Sequence, residues 1–359
     1  MIYRVSQLRK RVLIYVDQKR RDTYPSKRIQ KALSNYDLDV KIAGKSTFIP
    51  MVSSWHPHII IFGKHDGFHG DWLRNIIGAY VFSLGTEQGS SNVNYIDRVF
   101  FQGHAYPRLP AHEKVDCFLV YNELTKSRIK SKLPNSNVNV IGSPRLYNKY
   151  LQYKPRLVEN KKLTIGIICG EDKSNFNSAY NYFKKYFNHE QILPKSFDDF
   201  NNLQGLLSFW FLEKIIFNFI IEKIQEEYPS SRIIARVRYD NQSSYINTHK
   251  DLEFDISDDP SYLISESDIV ITSQSTLGYE CMMAGVPAIS IVKLINPGVI
   301  YEKLSTRNYT KPLHHAETLD DIYALLNKRL ENKLDISSDK DDYIRVAKDF
   351  FFNNLDEDK

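Results

Sequence analysis

The chain has 359 residues, of which 42% are hydrophobic and 25% are charged, and its formal net charge is +5. This length predicts two domains, and the apolar content excludes an intrinsically disordered chain. The small positive charge, without a dense Lys/Arg run, argues against a nucleic-acid-binding protein; it fits acidic small molecules or an anionic membrane surface.

Three cysteines lie far apart in apolar stretches: Cys117, Cys169 and Cys281. This spacing predicts free thiols in a reducing compartment and argues against a disulfide framework or a zinc site. The N-terminus has no signal-peptide pattern. Charges interrupt the apolar stretch 206–224, which therefore predicts a largely buried helix, with a contact at the membrane interface as the alternative. We expect a cytoplasmic protein, either free or peripheral at the inner membrane.

In the first 150 residues, short apolar runs alternate with amphipathic stretches, and a helix is predicted at 26–36. Strands are predicted at 11–17, 39–42, 58–62, 80–84, 98–101, 117–120 and 138–141. Continuous β-branched strands separated by helical stretches indicate a parallel sheet covered by helices on both faces. Residues 1–150 are thus predicted to form the first domain.

A polar, charged segment at 151–162 predicts a linker. The same alternating pattern then resumes and predicts a second domain at 163–335, followed by a C-terminal helix and tail at 336–359. Strands are predicted at 163–169, 231–238, 268–272 and 287–291, and helices at 206–227, 262–265, 275–283, 319–332 and 341–352. Doubly wound sheets bind ligands outside the carboxyl ends of their strands, so functional residues are expected directly after strands.

The segment 268–291 carries the strongest signal for a binding site. A predicted strand ends at Thr272, and three hydroxyl residues follow before a helix that carries Glu280: Ser273, Ser275 and Thr276. Hydroxyl groups and unpaired N–H groups at the start of a helix suit an anion. The segment therefore predicts a phosphate site; the alternative is an ordinary helix capped by Ser275.

This segment resembles the nucleotide-sugar phosphate loop of GT-B glycosyltransferases and related epimerases, in which a helix glutamate often contacts the ribose; Glu280 takes that place. Three motifs resemble bacterial surface-carbohydrate biosynthesis proteins, including the retaining β-Kdo transferases: VLIYVDQKRRD at 12–22, GTEQG at 85–89 and VIGSPRLY at 140–147. The resemblance implies a GT-B fold, in which two Rossmann-like domains face a cleft, the domain at 1–150 binding the acceptor and the domain at 163–335 the nucleotide sugar. The C-terminal helix either returns to the first domain or stays with the second.

The resemblance also implies the reaction. The expected reaction is the retaining transfer of Kdo or a related ulosonic acid from a CMP donor. The expected acceptor is a glycan or lipid-linked glycan of lipopolysaccharide or capsule. Such a donor has one phosphate, so we expect neither a metal nor a separate cofactor. Three alternatives stay open: a transferase using an NDP-hexose or CDP-glycerol, a nucleotide-sugar 2-epimerase, and a non-catalytic assembly scaffold.

Two carboxylate positions are candidates for catalysis. Glu87 follows the strand 80–84 in a loop flanked by glycines, where it could act on a substrate hydroxyl; a surface turn residue is the alternative. The resemblance to β-Kdo transferases implies a nucleophilic carboxylate directly after the strand 163–169, for which Asp172 is the first candidate and Glu171 the second.

Three arginines are candidates for donor binding. Arg236 and Arg238 alternate along a strand and would face the same side, where two guanidinium groups suit a phosphate or carboxylate. The alternative is structural ion pairing with Asp240 or Glu253. Relatives carry an Arg-x-His-Pro pattern here, and its absence argues against a histidine acid. Arg145, at the end of the first domain, either reaches the donor or clamps the hinge.

Several histidines and aspartates cluster in the sequence near 56–71: His56, His58, His65, Asp66, His69 and Asp71. They flank the predicted strand 58–62 at its two ends, which argues against a metal site and favours acceptor binding by His65 or Asp66. The chain has no P-loop, and no Gly-x-Gly-x-x-Gly follows the first strand, which argues against a P-loop kinase and a dinucleotide oxidoreductase.

Overall fold

In the computed structural model the chain divides into two compact units, the first Met1–Tyr147 together with Lys348–Lys359 and the second Asn148–Ala347. The structure describes residues 9–16, 19–62, 73, 77–84, 115–144, 157–159, 162–169, 197–237, 252–257, 259–273, 275–295 and 312–346, without the side chains at 19–21, 197–207, 209 and 210. The predicted strand at 98–101 and most of the predicted linker lie outside these residues.

The described part of the first unit contains a six-stranded parallel sheet in the order β2-β1-β3-β4-β5-β6. Its elements are β1 (Lys10–Val16), α1 (Lys19–Leu33), β2 (Leu38–Gly44), α2 (Lys45–Trp55), β3 (Ile59–Phe62), β4 (Tyr80–Leu84), β5 (Cys117–Val120), α3 (Glu123–Lys132) and β6 (Val138–Val140). The predicted parallel sheet is therefore confirmed.

β2 and β3 pair with the two edges of β1, and from Val12 onward its side chains are buried because they alternate between two apolar clusters. The rings of Tyr15, Phe48 and Phe62 pack edge to face at centroid distances of 4.8–5.5 Å. α1 begins earlier than the predicted 26–36, ends at Leu33, and contains Pro25. A proline removes one backbone donor, and here that loss does not end the helix.

The described part of the second unit contains another six-stranded parallel sheet, in the order β12-β11-β10-β7-β8-β9. Its elements are β7 (Thr164–Ile168), α4 (Phe197–Glu227), β8 (Arg232–Arg236), β9 (Glu253–Phe254), α5 (Ser261–Glu266), β10 (Ile269–Thr272), α6 (Leu277–Met283), β11 (Ala288–Ser290), α7 (Val292–Ile295), β12 (His314–His315), α8 (Leu319–Leu330) and α9 (Lys340–Val346).

α4 packs one face against the second core. That face presents Phe217, Ile220, Ile221 and Ile224, all fully buried, at the spacing of successive helical turns. The opposite face exposes Phe211 and Phe219 to about half of their surface (53% and 48%). The expectation of a largely buried helix is thus correct for one face only. None of the described helices is long and apolar enough to cross a membrane.

The buried His314 of β12 makes the stability of the second unit depend on pH. Its Nε2 donates a hydrogen bond to the backbone oxygen of Asp335 (2.8 Å), and burial lowers the pKa of its imidazole below the ordinary 6.5. As the pH falls below 6.5, the His314 imidazole is protonated in the unfolded chain but stays neutral in the folded chain. The free energy of unfolding therefore falls until the pH reaches the lowered pKa of the folded state.

We expect urea unfolding to show a smaller loss of stability between about pH 7.5 and 5.5 in His314→Gln than in the wild type. An equal loss in both proteins would contradict a role for His314.

Candidate functional site

The carboxyl edge of the second sheet holds the hydroxyl residues of the segment 268–291. β10 lies between β7 and β11, and it ends at Thr272, whose backbone oxygen accepts a hydrogen bond from Ile291 N (2.9 Å). The next backbone oxygen, that of Ser273, accepts one from Ser290 Oγ (3.4 Å). The chain after β10 is thus tied to the chain after β11, and Ser273 lies at the centre of this edge.

Ser275 and Thr276 are the partly exposed members of this group. Ser275 Oγ accepts a hydrogen bond from the backbone N–H of Leu277 (3.2 Å). Thr276 is the N-cap of α6, and its side chain makes no capping hydrogen bond. The Ser275 hydroxyl acts as acceptor in this contact, so its own O–H can still donate to a ligand, and the Thr276 hydroxyl can do the same. These two hydroxyl groups are the ones best placed to meet an anion.

A close approach between helix and strand fixes the start of α6 over the end of β10. A Cβ atom added at Gly278 would lie 2.9 Å from Thr272 Cγ2. Only a residue without a side chain allows this packing. A glycine within a predicted helix gives no indication of what it packs against, so the sequence does not predict this contact of Gly278.

Glu280 lies in α6 with 2% of its surface exposed. The next residue, Cys281, is fully buried, and burial raises the pKa of its thiol well above the ordinary value; the negative charge of Glu280 adds to this rise and the positive charge of Arg236 opposes it. Glu280 and Arg236 are therefore within electrostatic reach of the same buried group. The predicted contact of Glu280 with a ribose stays a prediction.

Arg236, the last residue of β8, forms an ion pair with the buried Asp255. Its Nη1 lies 2.5 Å from Asp255 Oδ2 and 3.3 Å from Ser257 Oγ. The predicted structural partner is Asp240 or Glu253. For Glu253 this is wrong, because it pairs with Arg232; Asp240 lies outside the described residues. The guanidinium keeps further N–H groups for a ligand, but its charge is already matched by a carboxylate.

Glu213 is a site residue that the sequence analysis missed. It lies on α4, has 5% of its surface exposed, and accepts a hydrogen bond at Oε1 from Ser273 Oγ. Its position four residues before the buried Phe217 places it on the inward face of the helix. The signal available in the sequence is a carboxylate within the apolar stretch 206–224, and there it indicates only that the stretch does not span a membrane.

Five of the predicted site residues lie outside the described residues: Glu87, Arg145, Glu171, Asp172 and Arg238. Their roles stay predictions, as does acceptor binding by His65 or Asp66. Within the part of the chain that the structure describes, no group of three or more His, Cys, Asp or Glu side chains is arranged to hold a metal ion.

No protein-family model and no curated protein matches this sequence. Solved structures do match the fold. The wall teichoic acid polymerase TagF shares 13% identity over 95% of this chain and 84% of its own, with a TM-score of 0.55. The UDP-GlcNAc 2-epimerase from Neisseria meningitidis, bound to UDP-GlcNAc, shares 10% identity over 95% and 94%, with a TM-score of 0.52.

The two parallel sheets with flanking helices, together with these matches, confirm the predicted two-domain α/β fold of the GT-B type. The identities are too low to indicate more than the fold.

Proposed function

We propose that this protein is a sugar-handling enzyme that binds a nucleotide-activated donor at the carboxyl edge of its second sheet and transfers the activated group to a surface-carbohydrate acceptor. The observation that carries the proposal is the group of polar side chains at that edge: Arg236, Ser273, Ser275, Thr276 and Glu280. In doubly wound sheets this edge is where ligands bind. The fold shared with TagF and with an epimerase bound to UDP-GlcNAc supports a nucleotide-sugar ligand.

In this proposal, Ser275 and Thr276 donate hydrogen bonds to the donor phosphate, with Ser273 behind them. Arg236, together with Arg238 and Arg145, supplies positive charge toward the phosphate or a sugar carboxylate. Glu280 binds the ribose. Glu87 and Asp172, with Glu171 as the alternative to Asp172, carry the chemistry as acid/base and nucleophile. The first unit binds the glycan or lipid-linked acceptor, on the cytoplasmic side of the inner membrane.

For the donor we propose a CMP-linked ulosonic acid such as Kdo, transferred with retention. This finer assignment rests on the motifs at 12–22, 85–89 and 140–147. A diphosphate donor is the second candidate, because a TagF variant soaked with CDPG also matches the fold, with 12% identity over 94% of this chain and 83% of its own and a TM-score of 0.50.

Thermal melting with CMP, CDP, UDP, GDP and TDP at millimolar concentration tests the proposal. A nucleotide at 100 times its Kd is expected to stabilise the protein by about 2.7 kcal/mol. A shift with CMP alone favours the ulosonic-acid donor, and a shift with a diphosphate favours the second candidate. A protein that no nucleotide stabilises would contradict the proposal and favour a scaffold.

Turnover then separates the remaining alternatives. A transferase consumes donor only with acceptor present, whereas an epimerase converts the donor alone. Glu87→Gln and Asp172→Asn are expected to abolish transfer while nucleotide binding remains. Wild-type rates in both variants would exclude these carboxylates from the chemistry.

A further inference from the structure

Glu213 connects the long helix α4 to the candidate donor site. Its carboxylate accepts the hydrogen bond of the Ser273 hydroxyl, and both side chains are buried. The backbone oxygen of Ser273 accepts a second hydrogen bond, from Ser290 Oγ. Ser273 is therefore held by its side chain from one element and by its backbone from another.

The cohesion of the fold does not require a carboxylate at this position. On the same face of α4, Phe217, Ile220 and Ile224 already pack the helix into the second core. Burying a carboxylate costs several kcal/mol before any compensating contact, so an apolar residue of similar volume would hold the helix at least as well. A buried acid whose contact leads directly to the end of β10 indicates a role at the site.

The hydroxyl that Glu213 holds is thereby withdrawn from ligand binding. A serine hydroxyl has one hydrogen, and in this arrangement Ser273 donates it to Glu213 and cannot donate it to a phosphate. What the contact fixes is the course of the chain as it leaves β10 toward Ser275 and Thr276. These two residues have the partly exposed hydroxyl groups of this turn.

We infer that Glu213 is a positioning residue for the donor turn, which we define as Ser273, Ser275 and Thr276. By fixing Ser273, it sets the direction in which the two partly exposed hydroxyl groups meet the donor phosphate. The inference rests on the proposed function, since it requires that this turn receives a nucleotide-linked phosphate.

The test compares nucleotide binding in full-length Glu213→Leu, Glu213→Gln and Ser273→Ala. The probe is whichever of the five nucleotides stabilises the wild type. Glu213→Leu is expected to fold with an unchanged or raised Tm, yet to bind that nucleotide about tenfold more weakly, which corresponds to about 1.4 kcal/mol. Glu213→Gln keeps an acceptor oxygen for Ser273 and is expected to retain near wild-type affinity.

Glu222→Leu is the matched control, because Glu222 lies exposed on the same helix; its affinity should not change. Ser273→Ala should weaken binding as much as Glu213→Leu, and the double variant no further, because each removes the hydrogen bond between these two side chains. Wild-type affinity in Glu213→Leu would overturn the inference while leaving the proposed function in place. Equal loss in Glu213→Gln and Glu213→Leu would overturn it by showing that the charge, not the positioning contact, matters. If no nucleotide stabilises the wild type, both fail together.

Discussion

Replacing Arg236 by methionine is expected to lower the free energy of unfolding by about 3–5 kcal/mol. The side chains of Arg236 and Asp255 are only 14% and 1% exposed, so solvent screens their interaction little. The variant leaves the Asp255 carboxylate buried, with Ser257 as its remaining hydrogen-bond donor. Most of the loss comes from this uncompensated buried charge. Urea-induced unfolding of the variant and the wild type measures the difference.

The matched control is Arg232→Met, at the other end of the same strand. Arg232 also contacts two carboxylates, Glu253 and Glu266, but its side chain is 41% exposed. Solvent screening should limit that loss to about 1 kcal/mol or less. The double variant Arg236→Met/Asp255→Asn, which removes both charges, should recover part of the stability. A loss at Arg236 no greater than at Arg232 would show that the buried pair contributes nothing beyond an exposed one.

The parallel register explains why the partner of Arg236 was not predicted. β8 and β9 pair with Ile234 beside Glu253 and Ala235 beside Phe254. One further step along both chains brings Arg236 next to Asp255. β9 has only two residues, too few to give a periodic signal in the sequence. Without that strand, nothing in the sequence distinguishes Asp255 from the predicted partners Asp240 and Glu253.

Strands were easier to predict than helices in this chain. The predicted bounds of β4 and β5 agree with the structure, because each is a short β-branched or aromatic run with polar residues before or after it. α3 was missed because it has little amphipathic pattern to detect. What defines it is local: the Asn122 side chain accepts a hydrogen bond from Thr125 N (2.8 Å), and two lysines occupy its last turn.

The candidate site likewise contains residues that the sequence could predict and one that it could not. Ser273, Ser275 and Thr276 follow a strand directly, so the rule that parallel sheets bind ligands at their carboxyl edge was enough to select them. Glu213 comes to the same place from an element about sixty residues earlier in the chain. Its position depends on how α4 packs across the sheet, and that packing is set by Phe217 and its neighbours, not by any motif around Glu213.

Gly166→Ala is expected to destabilise the second unit by about 1–3 kcal/mol. Gly166 lies in β7, between β10 and β8, where β-branched residues dominate. An added Cβ would lie 2.5 Å from Ser267 Oγ, 2.8 Å from Val270 Cγ1 and 3.1 Å from Leu263 Cδ1. All three neighbours are buried and cannot move aside without displacing α5 or β10. Thermal and urea unfolding measure the loss.

Two variants separate the steric cause from the general cost of replacing a glycine. Gly44→Ala meets no atom within 4 Å, so its change should stay below about 1 kcal/mol, the scale of a less favourable helix cap. Ser267→Ala removes the nearest clashing atom, a buried hydroxyl without a hydrogen-bond partner among the described residues, and should be close to neutral alone. In combination with Gly166→Ala, Ser267→Ala should recover only part of the loss, because the added Cβ would still clash with Val270 Cγ1. Complete recovery would place the whole clash on the hydroxyl, and no recovery would mean that Val270 and the backbone of β10 set the limit.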